Sequence, residues 1–149
     1  FARVLELNVV ASFNINTIAG QIMANNVPNE DGERGVMINT SSIAAFEGQV
    51  GQVAYSPAKG GISAMTLTMA RDLGALGIRC MTIAPSLFAT GLTAGMPDEG
   101  ANILTKDAAF PRRMGRPEEF GTMAMAIVEC AMMNGSTMRV DAGQRFAPK

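Results

Sequence analysis

Tyr55 and Lys59, in the stretch VAYSPAKGG, stand four residues apart with Pro57 between them. On an α-helix such a pair lies on one face, about one turn apart, so a phenol and an ammonium can point into the same space. An ammonium beside a phenol favours the phenolate electrostatically and makes the hydroxyl a usable proton donor and acceptor. The same spacing falls by chance in many helices, where it marks only a solvated pair of side chains. Support has to come from elsewhere, and Ser42, at the end of the run VMINTSS, supplies a third polar group.

Most other chemistries are excluded by composition. The chain has no histidine, which removes the commonest general base, the Ser-His-Asp arrangement and the commonest metal ligand together. Cys80 in IRCMTIAP and Cys130 in IVECAMM sit in apolar periodic segments without neighbours at metal spacing. They read as buried free thiols of a reducing compartment, cytoplasmic, or the mitochondrial matrix in a eukaryote, and no metal site is expected. The twelve methionines are scattered and read as core filler. A net charge of −1, with no block of Lys and Arg, gives no support for nucleic-acid binding. Apolar stretches are interrupted within a dozen residues, so nothing is expected to span a bilayer.

The elements that must position the three groups follow from periodicity. In 149 residues that are 48% hydrophobic, the pattern predicts about one domain. Val4, Leu5, Val9, Phe13, Ile18 and Ile22 recur at helical spacing and predict a helix over 1–25, stopping before Pro28. NEDGERG reads as a loop, and VMINTSS (36–42) as a strand buried on both faces. A second long helix is expected over 54–74, a strand over 78–85 closed by Pro85, a helix over 117–131 with Pro117 in its first turn, and a last strand in TMRVDAG. The order α, β, α, β, α, β predicts parallel strands in a doubly wound α/β sheet, with ligands outside the carboxyl ends of the strands. Ser42 and the Pro85 turn both fall on that edge.

The segment INTSSIAAFEGQVGQVAYSPAKGGI, with Ser42 thirteen residues before Tyr55 and Lys59 four beyond, resembles the catalytic segment of the short-chain dehydrogenase/reductase family. The likeness continues through MARDLGALGIRCMTIAPSLFAT, PRRMGRPEEF and MNGSTMRVDAG. It implies a Rossmann-like fold and an enzyme that transfers a hydride between NAD, with NADP as the alternative, and a hydroxyl or carbonyl. The implied substrate is a 3-hydroxyacyl-CoA or a steroid-like alcohol. The resemblance makes Tyr55 the proton donor and acceptor, Lys59 its partner and a contact of the cofactor ribose, and Ser42 the oxyanion donor. Asn8 matches the asparagine that links the lysine to solvent through water, although by spacing alone it reads as a helix-surface residue. Pro85, Leu87, Phe88 and Thr90 match the turn that meets the nicotinamide. Gln49 could approach a substrate carbonyl, with a plain loop glutamine as the alternative. A homotetramer is implied, because helices 1–25 and 54–74 resemble the pair that forms the family's dimer bundle.

Some positions depart from the family pattern. Ser86 follows Pro85 where glycine is usual, and Ala89 stands at another common glycine position; either would strain the turn if it required positive φ. Pro57 removes a backbone donor, harmless only near a helix start. The family's glycine-rich phosphate-binding turn does not occur in these residues, so the expectation is a C-terminal portion of the domain with an exposed strand edge and an exposed apolar helix face. Residues 86 to 110, mixing glycines with Leu87, Phe88, Ile103 and Leu104, read as a partly helical flap over an apolar substrate. Two rival functions remain at this level, a 3-oxoacyl carrier-protein reductase and a non-catalytic binding or assembly module.

Overall fold

A computed structural model describes residues 1–93 and 97–148; Gly95 of the expected flap lies outside them. Helix α1 (Ala2–Leu5), a π-helical stretch (Glu6–Val10) and α2 (Ala11–Met23) run on as one rod, each junction residue keeping right-handed helical backbone angles. The expected helix over 1–25 is therefore present, with a π-turn that apolar periodicity did not foretell. Strands β1 (Gly35–Thr40), β2 (Ile78–Pro85) and β3 (Thr137–Val140) form one sheet in the order β1-β2-β3, parallel throughout. β1 stops two residues short of Ser42, and Asp141 to Gly143 of the expected last strand form a turn instead.

Between β1 and β2 lies α3 (Tyr55–Gly74); between β2 and β3 lie α4 (Asp98–Thr105) and α5 (Pro117–Glu129). Alternation along the strands divides the core in two. On one face Met37, Ile78 and Cys80 pack with Ala70 of α3 and with Ala19 and Met23 of α2. On the other, Met81 and Ile83 pack with Ile127, Phe120 and Met123 of α5. Helices thus cover both faces, the doubly wound arrangement expected from element order. Residues 78 to 84 of β2 are all buried, which is why that strand reads as an uninterrupted apolar run.

Two polar devices hold helices to the sheet. Thr66 of α3 and Thr82 of β2 share a hydrogen bond of 2.6 Å in the buried layer. Arg79 of β2, its side chain 7% exposed, pairs with Glu33 at 2.8 Å and donates to the carbonyls of Ile127, Val128, Cys130 and Met133. Those of Ile127, Val128 and Cys130 are carbonyls that the end of α5 leaves without helical partners. Cys80 is buried, as expected; Cys130, which ends α5, is exposed, because the strand-like turn there carries its side chain out of the apolar layer. Not all methionines are core either, Met132 being exposed.

Candidate active site

Tyr55 is the first residue of α3, and Pro57 the third, where an N–H would have no intrahelical acceptor. The helix is entered by Ser56 N–H donating to the Gln52 carbonyl at 2.8 Å. One turn on, the Lys59 ammonium donates to the carbonyl of Thr40, the last residue of β1, at 3.2 Å, and stands 5.8 Å from the centre of the Tyr55 ring. The same two elements are stitched again by Ser41, whose hydroxyl donates to the Lys59 carbonyl at 2.7 Å and accepts from Ser63 at 2.8 Å. Desolvation pushes the Lys59 pKa below its ordinary value, because burial penalises the cation.

The second wall is the segment that leaves β2. Ser86 N–H donates to the Val140 carbonyl at 3.1 Å, Gly115 N–H to the Leu87 carbonyl at 2.8 Å, and Ala89 N–H to the Gly115 carbonyl at 2.8 Å. Phe88 lies over Gly115, where a Cβ would come within 2.6 Å of the ring, so only glycine fits that position. Its ring also meets Phe120 edge to face at 6.0 Å. Among the described residues Ala142 is the one non-glycine with positive φ, at 53°. Ser86 and Ala89 therefore sit without the strain that a glycine-requiring turn would impose.

These walls enclose a cavity of about 490 Å³ lined by Thr40, Tyr55, Pro85 and Leu87, with Phe88, Thr90 and Phe120 among the remaining residues. The structure brings Tyr55, Pro85, Leu87, Phe88 and Thr90 onto one space, with Lys59 attached behind Thr40. Ser42 and Gln49 are not part of that lining. Ser42 caps a 3-10 turn (Ile43–Ala45), its oxygen accepting the Ala44 N–H at 3.1 Å. Gln49 donates to the Ala147 carbonyl at 3.3 Å. Asn8 lies in the π-helical stretch, its amide donating to the Val4 carbonyl at 3.0 Å. That stretch is packed on α3 at Gly61, where a Cβ would approach Val9 within 2.9 Å. Sequence reasoning missed Thr40, Thr93 and Phe120; the hydroxyl run NTSS was the available signal for the first.

Comparison with known proteins places the fold in a family. A family model described as Enoyl-(Acyl carrier protein) reductase matches residues 1–145, and the chain belongs to this branch of the short-chain dehydrogenase/reductase family. It is 48% identical over 148 residues to the human 3-hydroxyacyl-CoA dehydrogenase type-2, covering 99% of this chain and 57% of that protein. It is 32% identical to ipsdienol dehydrogenase of Ips pini, over 95% of this chain and 56% of that one. The crystal structure of a 3-hydroxyacyl-CoA dehydrogenase type-2 from Mycobacterium avium superposes with a TM-score of 0.96 at 37% identity, over 99% of this chain and 57% of that one. The chain thus spans a little over half the length of the relatives it matches.

Proposed function

We propose that this chain is the catalytic and substrate-binding part of a nicotinamide-dependent dehydrogenase that interconverts the 3-hydroxyl and 3-oxo groups of an acyl thioester, with 3-hydroxyacyl-CoA as substrate class. The observation that carries the reading is Tyr55 on the wall of an apolar cavity, with the Lys59 ammonium one turn behind it and anchored on Thr40. The names of the human and mycobacterial relatives support the thioester as substrate.

The donor set suits the nicotinamide end of a dinucleotide: a phenol, an ammonium that spends one of three N–H groups on Thr40, and the pinned segment from Pro85 to Thr90. A nicotinamide dinucleotide, NAD in this reading, supplies or accepts the hydride when bound. Every other task falls to side chains. Tyr55 takes the proton of the substrate hydroxyl in oxidation and returns it in reduction. Lys59 favours the phenolate and offers its remaining N–H groups to the ribose. Ser42 is suited to donate to the substrate oxygen: its own oxygen is held as an acceptor by Ala44 N–H, which leaves the hydroxyl hydrogen available to a ligand. Asn8 and its π-turn give Lys59 a route to solvent through water, and the complete protein is a homotetramer.

The test is to assay the full-length protein for reduction of a 3-oxoacyl group by NADH and by NADPH, with the acyl group carried on CoA or on acyl carrier protein. Turnover with CoA thioester and NADH is the expected result. A preference for the carrier protein would replace the substrate assignment. No turnover with either carrier and either cofactor would leave the binding-module reading standing.

A further inference from the structure

Loop 46–53 joins the Ser42 turn to Tyr55, and its own side chains anchor it poorly. Phe46, Val50 and Val53 are exposed, Gly51 adopts φ 87°, and the residues that tie it to the core, Ile43 and Ala44, precede it. It is held instead from the other end of the chain. Arg139 of β3 grips Glu47 with both terminal nitrogens, at 2.7 and 3.0 Å, across 92 residues of sequence. The guanidinium lies 5.2 Å from the centre of the Phe46 ring, its Nε donates to Asp141 at 2.6 Å, and Nη2 also donates to the Gln144 carbonyl at 3.0 Å. Arg145 reaches both Glu47 and Asp141.

An exposed ion pair would do little here, but this one is bidentate, stacked on an aromatic ring and largely shielded, with the Asp141 side chain 9% exposed. Fixing the loop with such a fork defines both its position and its orientation. The residue it orients is Gln49, two beyond Glu47, whose amide is met by the Ala147 carbonyl from the same terminal segment.

We propose that Arg139 is a positioning residue for the substrate side of the site: through Glu47 it sets where loop 46–53 lies, and with it the Gln49 amide that meets the thioester end of the substrate. The assignment of Gln49 to substrate rests on the dehydrogenase reading; the placement of the loop does not.

The experiment compares full-length wild type with Arg139→Gln, Arg139→Lys and Glu47→Gln by steady-state kinetics and by amide hydrogen exchange. For Arg139→Gln the KM for a 3-hydroxyacyl-CoA should rise roughly tenfold, the cost of a displaced positioning group, while kcat and the cofactor KM stay within about threefold. Amides of residues 46–53 should exchange faster while those of β2 do not change. Arg139→Lys should not restore the KM, because an ammonium cannot reproduce the fork. Glu47→Gln should repeat the pattern and leaves Arg139 paired with Asp141, which covers the case in which Arg139→Gln does not fold. Unchanged exchange in the loop, equal acceleration in β2, or an unchanged acyl KM with a lowered kcat would each overturn the proposal. A wild-type protein without dehydrogenase activity would sink the dehydrogenase reading alone, since loop exchange would still decide whether Arg139 positions the loop.

Discussion

Removing single functional groups separates the roles of Tyr55, Lys59 and Ser42. In the full-length protein Tyr55→Phe deletes only the hydroxyl to which the proposed mechanism gives the proton, so kcat should fall by several orders of magnitude with the fold intact. Ser42→Ala should lower kcat by about 10² to 10³, the range for one lost oxyanion donor. Retention of near wild-type turnover by Tyr55→Phe would reduce VAYSPAKGG to an ordinary helix start. Lys59 allows a test in which activity and stability part company. Its folded pKa is held below 10.5 by burial, so at lower pH the folded state carries a desolvated charge that the unfolded chain keeps in water. The protein's stability attributable to this group is therefore reduced below the folded pKa and rises with pH towards 10.5. Lys59→Met should abolish turnover and weaken cofactor binding, yet melt at or above the wild-type temperature near neutral pH. A clear drop in Tm would show that the Thr40 hydrogen bond outweighs the desolvation.

At the scale of elements, the least legible features are those that depend on partners distant in sequence. Arg79 lies in the middle of an apolar strand, and nothing in IRCMTIAP tells that it caps the end of α5 through Ile127, Val128 and Cys130. Arg79→Met should cost about 3–5 kcal/mol in urea unfolding, because it strands Glu33 and several carbonyls at once. By contrast the strands, α3 and α5 were readable, since their burial on two faces imposes apolar runs and helical spacing directly on the residues. The π-turn at Glu6 to Val10 was not: it inserts one residue without disturbing the apolar character on either side. The juxtaposition of Tyr55 and Lys59 was legible because short spacing encodes it; the Arg139 and Glu47 pair was not, because only the fold joins β3 to that loop. Charge at the start of α5 gives a pH test. Arg113, with the Arg116 N–H, holds the Glu119 pKa down to about 2. A depressed carboxylate stabilises fully above its unfolded value of 4.5, and that contribution is lost as pH falls towards 2. Wild type should lose urea resistance over that window more steeply than Glu119→Gln, and parallel curves would remove the pair from the account.

At the scale of the whole molecule, the apolar surface is what demands explanation. Leu7, Phe13, Ile15, Ile18 and Ile22 of the α1–α2 rod are each more than half exposed, and among the described residues the outer edge of β1 pairs with no strand. A helix that is apolar on several sides is stable in water only when something packs against it, and a bare strand edge recruits another strand. The two liabilities predict different behaviour. Expressed alone, these 149 residues should associate without a defined stoichiometry, because an open edge adds strands without closure. The full-length protein should form a closed homotetramer, with the exposed rod and its neighbour α3 in the interface, since closed symmetry is the usual way that identical chains bury such faces. Ile18→Glu in the full-length protein places a charge in that face and should shift the assembly to smaller species in light scattering. If the full-length wild type scatters as a stable monomer, the rod must be covered from within its own chain, and the interface assigned to it does not exist.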